Sequence, residues 1–210
     1  MSATFFYKDL KNYVYTQNQL RDFADVPNPS NVLEPASTEG VFSQPANGHG
    51  GYMRGQEYAV SMPLDILWQP LDGFGVQLAY AKTSSGINPN GPGTPMSPFP
   101  GLSKYVSQAT LYYENYGFSA RIAATHRSDF HGEVQAFGAD QEFHNVQAET
   151  VTDLQLGYMV QTGMLEGLNI IFQVQNLFDE PYREYYGTRA APRLYTVYGR
   201  QYLLGANFRF

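Results

Sequence analysis

Cysteine is absent from the 210 residues of this chain, which excludes disulfides and thiolate metal sites. Charged residues make up 15% of the chain, below the ~25% that is usual for soluble domains. The net charge is −6, so we expect no nucleic-acid partner. No apolar run approaches the ~18 residues of a membrane helix. The first residues also lack the charged start and apolar core of a secretory signal.

Aromatic residues, glycine and proline are abundant instead, and apolar and polar residues alternate along much of the chain. In "LNIIFQVQNLF", for example, Leu168, Ile170, Phe172 and Val174 fall on one side of a predicted strand. The alternation predicts eight strands, near 3–16, 52–67, 72–84, 104–115, 117–129, 149–161, 167–179 and 193–210.

These predicted strands differ from those of a soluble β-sandwich in two ways. They are much longer than the five or six residues typical of globular strands, and crossing lipid at a tilt needs ~9–11 residues. Their second face carries Gln, Asn, Ser, Gly, Thr and Arg rather than the Lys and Glu of a solvated surface. A polar face of this kind is typical of strands that line a watery lumen.

The predicted connections alternate in length. Long ones fall at 17–51, 85–103, 130–148 and 180–192, and short ones at 68–73, 114–117 and 162–167. Outer-membrane barrels have short periplasmic turns and long outer loops, whereas a sandwich has no reason to alternate. The chain is therefore predicted to be all-β, as an antiparallel transmembrane β-barrel of about eight long strands.

The last predicted strand runs to the terminal residue, with apolar side chains at every second position. Since lipid tolerates no open sheet edge, we expect this strand to close a barrel by pairing with the first strand. The residues expected to form the closing seam and to act as an assembly signal are Tyr202, Leu204, Phe208 and Phe210.

Motifs near the C-terminus resemble the TonB-dependent outer-membrane receptor family. The penultimate strand continues into a V-x-N-L-F-D-x-x-Y pattern, and a Gly-Arg-x-Tyr pattern and a terminal aromatic follow it. Residues 100–130 also resemble a strand, tight turn and strand unit of that family. The motif positions are Asn176, Leu177, Phe178, Asp179, Tyr182, Gly199 and Arg200.

The resemblance implies a receptor with a plug, a TonB-contacting segment and a barrel of 22 strands. Residues 1–210 are then expected to be the C-terminal segment of the barrel, with the plug and the N-terminal strands absent. The implied function is active uptake of a scarce nutrient, such as a siderophore, cobalamin or a carbohydrate, in the outer membrane of a Gram-negative bacterium. The implied partners are outer-membrane lipid, the barrel assembly machinery, a small nutrient ligand, and the TonB complex through the missing N-terminal part.

Few residues form a pattern with chemistry of its own. Arg121 and Arg127 are six residues apart and are expected to face the lumen, where they would contact an anionic ligand or pair with lumen carboxylates. His126 and His131 lie near two acidic residues, but their spacing fits no helix, and we expect neither a metal site nor a cofactor. No G-x-S-x-G motif is present, and we expect no enzyme.

Two alternatives remain open on the sequence alone. The first is a self-contained eight-stranded outer-membrane barrel with a structural or porin-like role, since eight strands can close. The second is a soluble β-sandwich binding module, which would bury its apolar faces in a dry core.

Overall fold

A computed structural model describes residues 1–28, 33, 36–88, 93, 95–135 and 141–208 of the chain. It contains two antiparallel sheets. The larger sheet is built from β1 (Ser2–Asp22), β2 (Glu39–Pro63), β3 (Phe74–Ile87), β4 (Tyr105–Asn115), β5 (Phe118–Arg127), β8 (Glu149–Met159), β9 (Leu168–Gln175) and β12 (Gln201–Phe208). The smaller sheet is built from β6 (Phe130–Gln135), β7 (Gln141–Val146), β10 (Tyr182–Tyr185) and β11 (Pro192–Thr196).

The larger sheet is a meander in which each strand pairs with the next member in chain order, β1-β2-β3-β4-β5-β8-β9-β12. The prediction of eight long antiparallel strands is confirmed, and each falls where the alternation places one. The last two strands are shorter than predicted. Strand β9 ends at Gln175, and the predicted strand 193–210 is divided into β11 and β12 by an irregular segment at 197–200.

The register keeps the apolar residues of neighbouring strands on one face of the larger sheet. Ile122 of β5 lies opposite Leu154 of β8, and Leu204 of β12 lies opposite Phe172 of β9. We call this the apolar face and the other the polar face. Many side chains of the apolar face are exposed, among them Leu78, Leu111, Ile122, Ile170 and Leu204. An exposed apolar surface of this extent needs an apolar environment, which a bilayer supplies.

The larger sheet has no second layer packed against its apolar face. In the part of the chain that the structure describes, the buried hydrophobic residues are Ile87, Val146 and Val174. A sandwich of this length would bury many more, because the inner faces of its two sheets interdigitate. The architecture therefore argues against the soluble sandwich alternative. The described residues also include no helix long and apolar enough to cross a bilayer.

The tightest connection is the turn between β4 and β5, which the sequence predicts as short. Its two central residues, Tyr116 and Gly117, both have positive φ angles of 53° and 77°. Positive φ at both positions matches the twist of a two-residue hairpin. The Asn115 side chain supports the turn by accepting the Tyr116 N–H at 2.9 Å. A Cβ at position 117 would lie 2.5 Å from the Met159 carbonyl oxygen, so glycine is required there.

The long connections lie at the opposite end of the larger sheet from the short ones, as predicted, but they contain more strand than predicted. The segment 17–51 was expected to be a loop, yet β1 and β2 remain paired as far as Asp22 and Glu39. At ~3.3 Å per residue, the 21 residues of β1 extend about 70 Å, roughly twice the ~30 Å hydrocarbon core of a bilayer. The hairpin of β1 and β2 is therefore longer than a strand pair needs to be to cross a bilayer.

Two further long connections together form the smaller sheet, with strand order β11-β10-β7-β6. Strands β6 and β7 come from the connection after β5, and β10 and β11 come from the connection after β9. Pairing of Glu184 with Val146 and of Tyr185 with Asn145 joins the two connections. The prediction of loops at 130–148 and 180–192 is thus corrected, because Phe130–Gln135, Gln141–Val146 and Tyr182–Tyr185 are strands of this smaller, outer sheet.

The larger sheet is open. Within the described residues β1 pairs with β2 alone and β12 with β9 alone, so the seam expected between the first and last strands is not formed. This differs from the self-contained eight-stranded barrel, in which β1 and β12 would be neighbours. The strands are antiparallel, and the described residues include almost no helix. An open sheet of eight strands is compatible with closed barrels of different strand numbers.

Candidate functional site

A polar pocket lies where the larger sheet meets the segment 176–182 and the outer sheet. We call it the mouth pocket, and its volume is about 440 Å³. Small-molecule pockets usually fall between ~300 and 1,000 Å³. Its walls include Arg127, Glu149, Asp153, Gln175, Tyr182 and Gln201.

Arg127 is held in the mouth pocket by an ion pair and an aromatic ring. Its Nε lies 2.8 Å from Glu149 Oε1, and the two residues are paired across β5 and β8. The guanidinium also lies 4.9 Å from the centroid of the Phe130 ring. The structure thus places Arg127 on the polar face and pairs it with the carboxylate of Glu149.

Arg121 lies on the same polar face but does not line the mouth pocket. It lines a neighbouring groove with Gln108, Gln155 and Gln173. Gln173 donates a hydrogen bond to Gln155 at 2.9 Å across β8 and β9. Asp153 and Gln175 line both cavities, so the groove and the mouth pocket form one polar surface.

Asn176 organises the turn that follows β9. Its φ angle is 53°, a conformation that asparagine tolerates better than most residues. The side-chain Oδ1 accepts the Glu180 N–H at 2.8 Å, and Nδ2 donates to the Glu180 carbonyl at 3.1 Å. Nδ2 also lies 3.4 Å from the Gly199 carbonyl oxygen, just before β12. One side chain therefore connects the end of β9 to the start of β12.

The other residues of this motif continue the same turn. The Leu177 N–H donates to the Thr152 carbonyl of β8 at 2.7 Å, and the Asp179 N–H donates to the Asn176 carbonyl at 2.9 Å. Asp179 has a positive φ of 57°. Phe178 is 67% exposed and packs into no core. The motif thus builds a turn that crosses the outer end of the sheet and forms one wall of the mouth pocket.

The Gly-Arg-x-Tyr pattern lies at the entry to β12. Gly199 has a φ of 76°, which favours glycine, and Arg200 is exposed. Tyr202, Leu204 and Phe208 lie on the apolar face of β12, opposite Val174, Phe172 and Leu168. Phe210 lies outside the described residues.

A buried carboxylate connects three strands of the outer sheet. Glu184 is 7% exposed, accepts a hydrogen bond from the Tyr182 hydroxyl at 2.8 Å, and forms an ion pair with Arg193 of β11. His144 of β7 lies 3.6 Å from the same carboxylate. Gly132 of β6 makes room for the His144 ring, since a Cβ there would lie 2.3 Å from it.

Tyr182 and His144, which lie beside the Glu184 carboxylate, have pKa values shifted from their ordinary values. Burial, together with the hydrogen bond to Glu184, raises the pKa of Tyr182 to about 12, so the phenol stays neutral in the mouth pocket. Burial lowers the pKa of His144 and Arg193 acts in the same direction, against the opposing effect of Glu184. The lowered pKa favours the neutral form of His144, which adds no positive charge between β7 and β10.

Asp129 lies just after β5 and links two long connections, the one after β5 and the one after β9, to the larger sheet. It accepts the Ala148 N–H, the Tyr185 hydroxyl at 3.3 Å, and an Arg189 nitrogen at 2.9 Å. Burial alone would raise the Asp129 pKa, but the Ala148 N–H and the Arg189 guanidinium outweigh it and hold the pKa below its ordinary value. The carboxylate thus stays ionised and structural.

His126, one of the two histidines named from the sequence, contacts a threonine hydroxyl. His126 Nδ1 lies 2.9 Å from Thr150 Oγ1, and Asp129 is occupied by the outer connections. No group of three histidine, aspartate or glutamate side chains suited to a metal ion occurs among the residues that the structure describes.

The mouth pocket is lined mainly by groups that form hydrogen bonds. Carboxylates, amides, a guanidinium and phenols line it, and they donate and accept hydrogen bonds. Sequence reasoning missed Tyr182, Tyr198 and Gln201 as members of one pocket. Local spacing carries no signal for this, because these residues belong to separate strands and turns that meet through long-range pairing.

Comparison with known proteins gives one family. The family model described as "TonB dependent receptor-like, beta-barrel" matches residues 1–177 of the chain. The match includes β1 to β9 and ends within the Asn-Leu-Phe-Asp turn. No curated protein and no solved structure matches this chain.

Proposed function

This chain belongs to the TonB dependent receptor-like β-barrel family, and we propose that it forms the barrel wall and the outer mouth of an outer-membrane receptor that takes up a scarce nutrient. Members of the family are receptors and transporters of the Gram-negative outer membrane rather than enzymes. The observation that carries the proposal is the single-layered sheet, with an exposed apolar face and a polar face that leads to the mouth pocket.

We propose that the mouth pocket contacts the nutrient on its way through the receptor. Its lining combines the carboxylates of Glu149 and Asp153 with the amides of Gln175 and Gln201, which suits a small polar ligand such as a siderophore, cobalamin or a carbohydrate. The ion pair of Arg127 with Glu149 and the turn of Asn176 hold this lining in place. Preformed polar groups of this kind orient a ligand at little entropic cost.

A binding experiment tests this role of the mouth pocket. Membranes that contain the chain are titrated with a ferric siderophore, cobalamin and maltotriose, and the variant Gln175→Ala/Gln201→Ala is compared with the parent. Losing two hydrogen bonds of about 1 kcal/mol each should weaken binding roughly tenfold or more. The control variant Gln77→Ala, on the polar face away from the pocket, should bind as the parent does. Failure of all three probes to bind, or equal binding by all variants, would contradict the proposal.

We further propose that residues 1–210 are the C-terminal segment of a barrel of 22 strands. The free edges of β1 and β12 support this, because an unpaired edge in lipid costs several kcal/mol per exposed backbone group. Preceding strands would cover the edge of β1, and β12 with Phe210 would form the closing seam and the signal for the barrel assembly machinery. The plug and the contact with TonB would come from the missing N-terminal part.

Cysteine cross-linking distinguishes this segment from a self-closed barrel, and the absence of native cysteine makes the experiment clean. One cysteine is placed at successive positions along 5–13 and a second along 200–208, and the membranes are oxidised. We expect little coupling within one chain. The control pair Phe172→Cys/Leu204→Cys, which lies in register between β9 and β12, should couple efficiently. Efficient coupling of β1 with β12 would instead show an eight-stranded closed barrel.

A further inference from the structure

Three basic residues converge on the apolar face, next to the rim of the membrane-facing surface. Arg54 of β2, Lys82 of β3 and Lys104, which precedes β4, line a common groove with a volume of about 490 Å³. All three side chains are exposed. We call them the basic patch. It lies apart from the mouth pocket, which opens on the polar face of other strands.

The register fixes the side of the sheet on which the basic patch lies. Lys82 is opposite Gln56 and Tyr105, and Arg54 is opposite Tyr7 and Ser84. Side chains alternate along a strand, so Lys82 shares a face with Tyr80 and Leu78, and Arg54 shares it with Tyr58. These are exposed residues of the apolar face. Arg54 and Lys82 therefore point outward, not into the lumen. Lys104 lies just before β4, and its ammonium group joins them over the ring of Tyr105, which is opposite Lys82 on the apolar face.

The height of the basic patch follows from the aromatic residues beneath it. Phe5 and Tyr58 make an edge-to-face contact at 5.9 Å, and Tyr80 stacks on Tyr105 at 6.4 Å. Aromatic rings of this kind mark the interface between hydrocarbon and head groups. Lys82 lies two residues beyond Tyr80, towards the end of the sheet that carries the long connections. The cations thus lie at head-group level on the outer side.

These cations lack the anionic partners that most arginines of this chain have. Arg21, Arg127, Arg183, Arg189 and Arg193 each lie within 4.0 Å of a carboxylate. Among the residues described by the structure, no carboxylate lies within that distance of Arg54, Lys82 or Lys104.

Each of the three cations contacts an aromatic ring instead, and the two lysines share one ring. The ammonium groups of Lys82 and Lys104 lie 5.7 and 5.4 Å from the centroid of the same Tyr105 ring, and Arg54 lies 5.4 Å from the Tyr52 ring. Like charges held together next to lipid attract an anion. The positive charge of the basic patch is local, since the whole chain has a net charge of −6. The patch therefore complements an anion although the chain as a whole is negative.

We propose that the basic patch binds the phosphate-bearing head group of an outer-leaflet lipid, whose acyl chains lie along the aromatic and aliphatic residues below. Guanidinium and ammonium groups bind phosphate through charge-assisted hydrogen bonds, and the apolar face supplies the surface for the chains. A soluble phosphate would gain the first interaction but not the second. Lipid binding at this place would fix the vertical position of β1 to β4 in the membrane.

Lipid association measured by electron paramagnetic resonance tests the proposal. The chain is embedded in phosphatidylcholine membranes that contain spin-labelled phosphatidylglycerol or spin-labelled phosphatidylcholine, and the motionally restricted fraction of each label is compared. Each basic residue near a charged surface contributes roughly fivefold, so the three together should favour phosphatidylglycerol on the order of a hundredfold, and Arg54→Gln/Lys82→Gln/Lys104→Gln should abolish the preference. Added salt should weaken it as well.

Two controls keep the proposal falsifiable. Arg121→Gln removes a cation from the polar face and should leave the lipid preference unchanged. Inorganic phosphate should not displace the labelled lipid at concentrations that leave the ionic strength constant. Loss of the preference in Arg121→Gln, its persistence in the triple variant, or full displacement by inorganic phosphate would each overturn lipid binding at the basic patch. A uniform strand content by circular dichroism in all variants excludes misfolding as the cause.

Discussion

Replacing Ile122 by arginine is expected to destabilise the membrane-inserted chain by about 2–4 kcal/mol. Ile122 is central in β5, lies opposite Leu111 and Leu154 on the apolar face, and is 37% exposed. A guanidinium at this position must enter hydrocarbon or pull water and head groups towards it, and both cost free energy. Urea titration of the inserted chain in lipid vesicles measures the change.

The neighbouring residue provides a matched control for Ile122→Arg. Ala123 is adjacent in the same strand, lies on the polar face, and is opposite Asp153 of β8. Ala123→Arg adds the same side chain at the same depth but into the polar groove beside a carboxylate, so we expect a change below about 1 kcal/mol. Equal destabilisation by both substitutions would show that the two faces do not meet different solvents, and the assignment of the apolar face to lipid would fail.

Asn176→Ala is expected to destabilise the region between β9 and β12 by about 3 kcal/mol. Two short hydrogen bonds to Glu180 are lost, at about 1 kcal/mol each. Alanine must also adopt the positive φ of 53°, which costs ~1–2 kcal/mol for a residue with a Cβ. Proteolysis at the arginines of 183–200 follows the opening of this region directly.

Asn176→Gly separates the side-chain contribution from the backbone contribution. Glycine loses the same hydrogen bonds but adopts positive φ without strain, so it should be about 1 kcal/mol more stable than the alanine variant and still less stable than the parent. If the alanine and glycine variants are equally protected from protease, the conformation of residue 176 does not limit the turn. If both match the parent, the side-chain bonds of Asn176 do not hold it.

The two substitutions address different parts of the architecture. Ile122→Arg tests which solvent surrounds the wall, and Asn176→Ala tests how the outer end of that wall is held together. Because the two sites share no contacting residue, their effects on stability should be additive. If the Asn176→Ala variant still inserts into the membrane while its turn is disordered, Asn176 acts in the mouth pocket rather than in insertion.

The larger sheet is predictable from the sequence because the residue pattern that specifies it is local. Alternation with period two assigns each residue to one face, and a strand such as β5 shows this pattern whatever its neighbours are. The short connections are local as well. Gly117 favours a turn at this position because glycine adopts a positive φ without strain. The alternation of long and short connections then predicts the meander, since antiparallel neighbours need no crossover.

The outer sheet was not predictable in this way. Strand β10 has only four residues, too few for a periodic pattern to stand out from a polar loop, and β11 was predicted as the start of the last long strand rather than as part of a separate sheet. Their stability depends on pairing between connections distant in the chain, and on a shared buried carboxylate at Glu184. The mouth pocket and the basic patch have the same origin, because each combines side chains from several strands whose proximity follows from register.

The sequence by itself determined the all-β class, the two faces, the number of long strands and the family, because period-two patterning and short motifs are properties of neighbouring residues. Tertiary structure alone decided three further features: the open edges at β1 and β12, the partners of Arg127 and Asp129, and the convergence of Arg54, Lys82 and Lys104. Each of these depends on which strand lies beside which and in what register. A shift of a single residue in the register of β2, β3 or β5 would move Arg54, Lys82 or Arg127 to the opposite face.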